Sequence, residues 1–208
     1  QYASIFGLKN TALLLDCRTI KATPFKIDFK DYSFLLINTN VKHSLAESAY
    51  NERRNTCEKM ATLLQIKSLR DASETDLLSI KDQITEDDYQ KALYVVQENK
   101  RVIDASKVLQ KNAILSFGEL LYQSHYGLQH QYKVSCPELD FLVENAKNNK
   151  AVIGARMMGG GFGGCTINLI KKEAIAEYST FIKDAFRKQF QKKCSIYHVH
   201  LSQGTHRI

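Results

Sequence analysis

No stretch of this chain approaches the roughly eighteen consecutive apolar residues that a membrane-spanning helix needs, and no signal-peptide pattern is read within these residues. Its five cysteines include no C-x-x-C pair and are odd in number, which predicts reduced thiols and a cytoplasmic protein. Cys17, Cys57, Cys136 and Cys194 read as small buried or half-buried residues. Repeats, low-complexity tracts and flexible linkers are also missing, so the 208 residues are expected to form one domain. Proline occurs only twice: Pro24 confines part of a strand candidate to an edge, and Pro137 suits an early helical position. Methionine does not open the chain. Gln1-Tyr2-Ala3-Ser4-Ile5-Phe6-Gly7 is already amphipathic, as though an element were entered midway, so a fragment or a processed chain is expected.

What is present is ordinary in amount. An apolar content of 44% with 25% charged residues is that of a packed soluble domain. Much of the net charge of +7 lies between Lys171 and Lys193, where Lys171, Lys172, Lys183, Arg187, Lys188, Lys192 and Lys193 decorate an amphipathic stretch. No aromatic-interleaved basic strand or nucleic-acid motif accompanies them, so a solvated helix face is the simpler reading and no nucleic-acid partner is expected. A missing acidic partner domain would leave the same excess.

Glycine is concentrated rather than abundant. Six of the ten glycines fall between Gly154 and Gly164, in the stretch GARMMGGGFGGCTINL that runs to Leu169. The short apolar run Ala151-Val152-Ile153 precedes it, and Thr166-Ile167-Asn168-Leu169-Ile170 alternates like a strand after it. A loop carrying Gly159, Gly160, Gly161, Phe162, Gly163 and Gly164 between two strands can adopt positive φ, let a backbone or ligand approach closely, and turn successive N–H groups toward an anion. Two phosphate motifs fit its letters but not its context. Gly159, Gly161 and Gly164 satisfy G-x-G-x-x-G, with Asp184 about twenty residues on, but that fingerprint opens a helix, whereas the β-branched residues after Gly164 predict a strand and Asp184 falls in a helical pattern. A P-loop over Gly159 to Thr166 places Cys165 where its lysine belongs. On spacing alone, the glycines could serve turn geometry and nothing else.

Strands are expected at Ala12 to Cys17, Ile20 to Phe29 and Tyr32 to Asn38, and their short connections point to an antiparallel meander. A helix should follow, opened by a Ser44–Glu47 capping box and running through Tyr50, Arg53, Cys57 and Met60 to about Leu64. Tyr50, Arg53 and Arg54 share one helix neighbourhood by spacing, and a core-edge aromatic is the plain alternative for Tyr50. Helices are predicted over Glu74 to Gln83, Glu86 to Lys111 and Ala113 to Leu128, and a fourth after a Ser135 cap. His125 reads as a hydrogen-bonded helix residue rather than a base. A helix over Glu173 to Phe190 and a strand over Ser195 to Leu201 complete the chain; His198 and His200 share a face of that strand, but no third ligand accompanies them and no metal site is expected.

The string from Gly154 to Cys165 closely resembles the third signature of galactokinases, members of the GHMP sugar and metabolite kinases, with Met158 where the family usually has threonine. The resemblance runs almost end to end. Gln1 to Gly7 is similar to the segment at and after the glutamine of the family's M-D-Q motif, and Ala12 to Arg18 to the strand and Asp-Cys-Arg that follow. Asn38 to Arg54, with Cys57-Glu58 after it, resembles the sugar-site segment, with Ala49 replacing a more usual glutamate. Ser68 to Asp71 and Val134 to Asp140 match two further family stretches, and the chain end, YHVHLSQG, resembles the family terminus.

The resemblance implies an α+β domain, an antiparallel sheet with helices packed on it. It identifies residues 1–208 as the GHMP kinase C-terminal domain of a galactokinase, whose parent transfers the γ-phosphoryl of MgATP to the C1 hydroxyl of galactose. Tyr50 is then a galactose contact. The loop from Gly159 to Gly164 borders the active site with Phe162 as its packing anchor, Arg53 holds the helix of Tyr50, and Arg156 makes a structural ion pair. The family's catalytic aspartate would precede Gln1, and its P-x-x-x-G-L-S-S-S phosphate loop and amino-terminal sugar signature lie in a half not present here. The chain alone is therefore expected to carry no catalytic residue or metal ligand, and to need the amino-terminal domain as its partner. A non-catalytic galactose- and ATP-binding signalling relative and an N-acetylgalactosamine kinase are the alternatives.

Overall fold

The computed structural model describes residues 2–41 and 46–205, the side chains of 46–48 aside. After the short helix α1 (Tyr2–Phe6) come β1 (Thr11–Asp16), β2 (Lys21–Lys26) and β3 (Tyr32–Asn38). The helices α2 (Ala46–Leu63), α3 (Glu74–Ser79), α4 (Glu86–Gln110), α5 (Ile114–His130) and α6 (Pro137–Lys147) follow. The chain then forms β4 (Val152–Met157), β5 (Cys165–Lys171), α7 (Ile175–Phe190) and β6 (Ser195–Val199). The architecture is α+β as expected: an antiparallel sheet in the order β4-β5-β3-β6 with helices packed on it.

The expected three-strand meander is not formed. β1 and β2 make a separate hairpin, Thr11 opposite Lys26 and Asp16 opposite Lys21, while β3 enters the main sheet between β5 and β6. Burial decides between these partners. Leu35 and Ile37 of β3 are wholly buried, and full burial of such a side chain is worth about 1.5–3 kcal/mol. The side chains of β2 are mostly exposed, and Pro24 has no N–H to offer a further neighbour.

On the Leu35–Ile37 face of the sheet, α7 lays down Ile175, Tyr178, Ile182 and Phe186, spaced to fall on one helical stripe, beside Leu142, Val143 and Ala146 of α6. Its outer face carries Lys183, Arg187 and Lys188 into solvent. A second cluster joins α2, α3 and α4 through Met60, Leu77, Tyr89, Ala92 and Val96. Charge also crosses that seam: buried Lys91 of α4 bonds to Glu52 of α2 and to Asp87 one turn before it. Burial opposes the lysine's charge, but the two carboxylates raise its pKa, and Lys133 with Lys91 holds Asp87 at about 2.

The helix ends follow local chemistry. Ser73 and Asp76 form a reciprocal capping box at α3, and Thr85 caps α4 ahead of Glu86, Asp87 and Asp88. Cys136, not Ser135, is the capping residue of α6, with Pro137 in its first turn; the Ser135 hydroxyl bonds instead to Asp140. The proposed Ser44–Glu47 capping box lies outside the described side chains. The stretch expected to be helical from Glu74 to Gln83 breaks after Ser79 into a separate 3-10 turn, Lys81–Gln83.

Helix α5 covers the outer edge of β4. The Tyr122 hydroxyl donates to the Val152 carbonyl at 3.2 Å, and the Met157 N–H donates to His125 Nδ1 at 3.2 Å. The two bonds satisfy backbone groups that an edge strand would leave bare. The fit depends on two small residues: a Cβ on Gly118 would meet the Ile153 carbonyl at 2.1 Å, and one on Gly154 would meet Gly118 Cα at 2.5 Å.

Candidate active site

The glycine loop connects β4 to β5, so a strand and not a helix follows it, in agreement with setting aside both phosphate motifs. Gly154 itself lies within β4; the loop proper is Met158 to Gly164. Gly159, Gly161, Gly163 and Gly164 all have positive φ, as does Phe162 at 58°. The loop closes on itself through Met158 N–H donating to the Cys165 carbonyl at 2.9 Å.

Among the described residues, contacts at Phe162 and at Gly164 hold it. Phe162 N–H donates to the Val134 carbonyl at 2.7 Å, and its ring packs against the cluster of Tyr94, Leu128, Val134, Leu139 and Met157. At the other end, both the N–H and the hydroxyl of Thr39 donate to the Gly164 carbonyl, at 2.9 and 3.0 Å. Gly161 and Gly163 are buried at these supports, whereas Met158, Gly159 and Gly160 are exposed and a Cβ at either of those glycines would meet nothing within 4 Å. The loop thus has a clamped base and an open tip.

Tyr50 projects from α2 and is 69% exposed. Three residues on, Arg53 is buried and turns inward. Its Nε donates to the Tyr132 carbonyl at 3.1 Å and its Nη2 to the Lys133 carbonyl at 2.9 Å, while Nη1 pairs with Glu52 at 3.0 Å. One guanidinium therefore fixes α2 to the α5–α6 connection whose next residue, Val134, holds Phe162. Burial, helped by the neighbouring Cys57 and Tyr50 and opposed by the Arg53 charge, pushes the Tyr132 phenol up to about 12. Arg156, expected to make an ion pair, lies 3.5 Å from Glu98 of α4 and donates from Nε to the Met157 carbonyl at 2.9 Å.

Sequence reasoning singled out Tyr50, Arg53 and the loop, but not the carbonyl of Val134, the hydroxyl of Thr39 or the link from His125 to Met157. The available signal was the stretch Val134 to Asp140, noted for its resemblance without a role for any of its residues. Two other such stretches also meet. Arg18 donates to both carboxylate oxygens of Asp71, at 2.9 and 2.7 Å, and Arg70 pairs with Asp16, so the hairpin and the turn Leu69–Asp71 are joined by crossed ion pairs. His198 and His200 are both exposed, with His200 beyond the end of β6. Among the described residues, no group of three or more His, Cys, Asp or Glu could hold a metal ion, and no helix is long and apolar enough to cross a membrane.

Residues 105–188 match the protein-family model described as GHMP kinases C terminal. Along its whole length the chain is similar to galactokinases. It is 35% identical to the Thermotoga neapolitana galactokinase over all 208 residues and 58% of that protein. It is 38% identical to the Clostridium beijerinckii galactokinase, again over the whole chain and 55% of the relative. The structure of Lactococcus lactis galactokinase complexed with galactose superposes over 100% of this chain and 55% of its own, with a TM-score of 0.92 and 33% identity. The chain thus spans a little over half the length of these relatives and corresponds to their carboxy-terminal half.

Proposed function

We propose that this chain is the carboxy-terminal domain of a galactokinase, in which an amino-terminal domain completes the site and the whole transfers the γ-phosphoryl of ATP to the C1 hydroxyl of galactose. The observation that carries this reading is the full-length superposition on the galactose-complexed Lactococcus lactis enzyme. Tyr50 offers an exposed phenol and ring to the sugar. The wall from Gly159 to Gly164 borders the sugar and phosphate region, with Gly161, Phe162 and Gly163 fixing its base. Phosphoryl transfer depends on positioning and charge stabilisation, and this chain's part is positioning: Arg53, Val134 and Thr39 hold the wall while the tip stays open. Mg2+ would enter with ATP as part of the substrate. The described residues offer it no ligand cluster, so no step is assigned to it here.

The exposed apolar side chains of Ile5, Phe6 and Leu8 support a partner domain docked near α1. The five unpaired thiols support a cytoplasmic location. The test is ADP release from MgATP and galactose by this chain alone, by the chain with a separately produced amino-terminal half, and by the full-length protein. No turnover alone, with activity on complementation, is expected. Turnover of N-acetylgalactosamine in place of galactose would make it the related kinase. Binding of both ligands without ADP release by the full-length protein would make it a signalling relative.

A further inference from the structure

His125 is 3% exposed and belongs to none of the groups assigned to substrate above. It sits on α5 with its two ring nitrogens facing different elements. Nδ1 accepts from the Met157 N–H at 3.2 Å, and Nε2 lies 3.3 Å from Asp140 Oδ1 on α6 without making a hydrogen bond to it. A nitrogen that accepts carries no proton, so Nδ1 is the unprotonated nitrogen of the ring. Asp140 also accepts from the Ser135 hydroxyl. Ser135 adjoins Val134, whose carbonyl takes the Phe162 N–H.

Two of these contacts bracket the glycine loop. Met157 is the last residue of β4, directly before the loop, and Phe162 is its buried middle. Both are tied to the α5–α6 region, the first through His125 and the second through Val134. The open tip, Met158 to Gly160, lies between the two ties. Met157 N–H lies on the outer edge of β4, where no strand can take it, so the imidazole sets the direction in which the chain leaves the sheet.

We infer that His125 is a positioning residue for the glycine loop, holding Met157 through Nδ1 as an acceptor. This rests on the galactokinase reading for its kinetic consequence, but not for its structural one. The test uses two substitutions in the full-length protein that separate the ring's two contacts. In His125→Asn, the side-chain oxygen falls near the position of Nδ1 and can accept from Met157, while the reach to Asp140 is lost. In His125→Gln, the amide reaches toward Asp140 and leaves the Met157 N–H without its acceptor.

His125→Asn is expected to keep kcat within about threefold, and His125→Gln to lose about tenfold or more in kcat with the galactose KM within about twofold, as small misplacements of reacting groups do. Amide hydrogen exchange across residues 157–164 should quicken in the Gln variant and stay near the parent rate in the Asn variant. Equal kcat and equal exchange in both variants would overturn the inference, as would a larger loss in His125→Asn than in His125→Gln. If the unsubstituted protein shows no galactose phosphorylation, the functional reading fails by itself, and the exchange comparison still decides whether His125 positions the loop.

Discussion

The carbonyl oxygen of Val134 occupies the place where a side chain on residue 161 would begin: a Cβ built on Gly161 falls 2.0 Å from it. The same oxygen receives the Phe162 N–H, so loop and support cannot separate to make room without losing that bond. Gly161→Val is therefore expected to displace the loop, lowering kcat/KM of the full-length protein by about a hundredfold. Gly160→Ala meets open space and should leave stability within about 0.5 kcal/mol. Thermal denaturation of the two variants beside the parent checks the contrast, and equal melting temperatures with equal kinetics would show that the contact at 161 is not required.

Arg53 joins α2 to two carbonyls of the α5–α6 connection. Arg53→Met should cost about 2–4 kcal/mol, since charged hydrogen bonds are lost and two part-buried carbonyls are left without that donor. Arg53→Lys should recover little, because an ammonium cannot present donors in the same planar fork. Denaturant unfolding of both variants measures this.

Tyr50 contributes little to the core, so Tyr50→Ala is expected to leave the melting temperature nearly unchanged. Its effect should fall on the sugar, with the galactose KM rising more than the ATP KM. Equal changes in both constants would remove Tyr50 from the sugar site.

The crossed pairs at the hairpin make a prediction about acid. Arg18 beside Asp71 and Arg70 beside Asp16 hold both carboxyls below their ordinary values. A carboxyl with a lowered folded pKa stabilises the fold above its unfolded value of about 4, and that contribution disappears as pH falls below it. The turn at Cys17 to Ile20 should become more open to proteolysis as the pH is taken from about 5 toward 3. Asp71→Asn should show part of that sensitivity already at neutral pH and a flatter dependence below it. An unchanged slope in the variant would place the acid sensitivity elsewhere.

Phe186 is wholly buried under the sheet, and its truncation to alanine should destabilise by about 3–5 kcal/mol. Chemical denaturation provides the value. A loss below about 1 kcal/mol would mean that α7 is not the principal cover of that face.

The elements with the clearest period were the most legible in the sequence. Tyr32 to Asn38, the long α4 and the apolar stripe of α7 fall where alternation and helical spacing put them. Strand pairing was less so: nothing local to Ile20–Phe29 indicates that β3 will take β5 and β6 from more than 120 residues away rather than its sequence neighbour. The loop was found because glycine clusters are visible in one dimension. Its supports were not, because the decisive atoms on Val134, Lys133 and Tyr132 are main-chain carbonyls, which every residue carries and no side-chain pattern advertises.

The covering of β4 by α5 has a consequence for self-association. With α5 in place, Val152 and Met157 present no bare backbone to a second molecule. Were the helix to peel away, an apolar strand reading VIGARM would offer its unpaired groups to any chain able to extend the sheet. The close seam of Gly118 against Gly154 and Ile153 is thus also a protection against aggregation: a larger residue at Gly118 would turn a local packing fault into an adhesive edge.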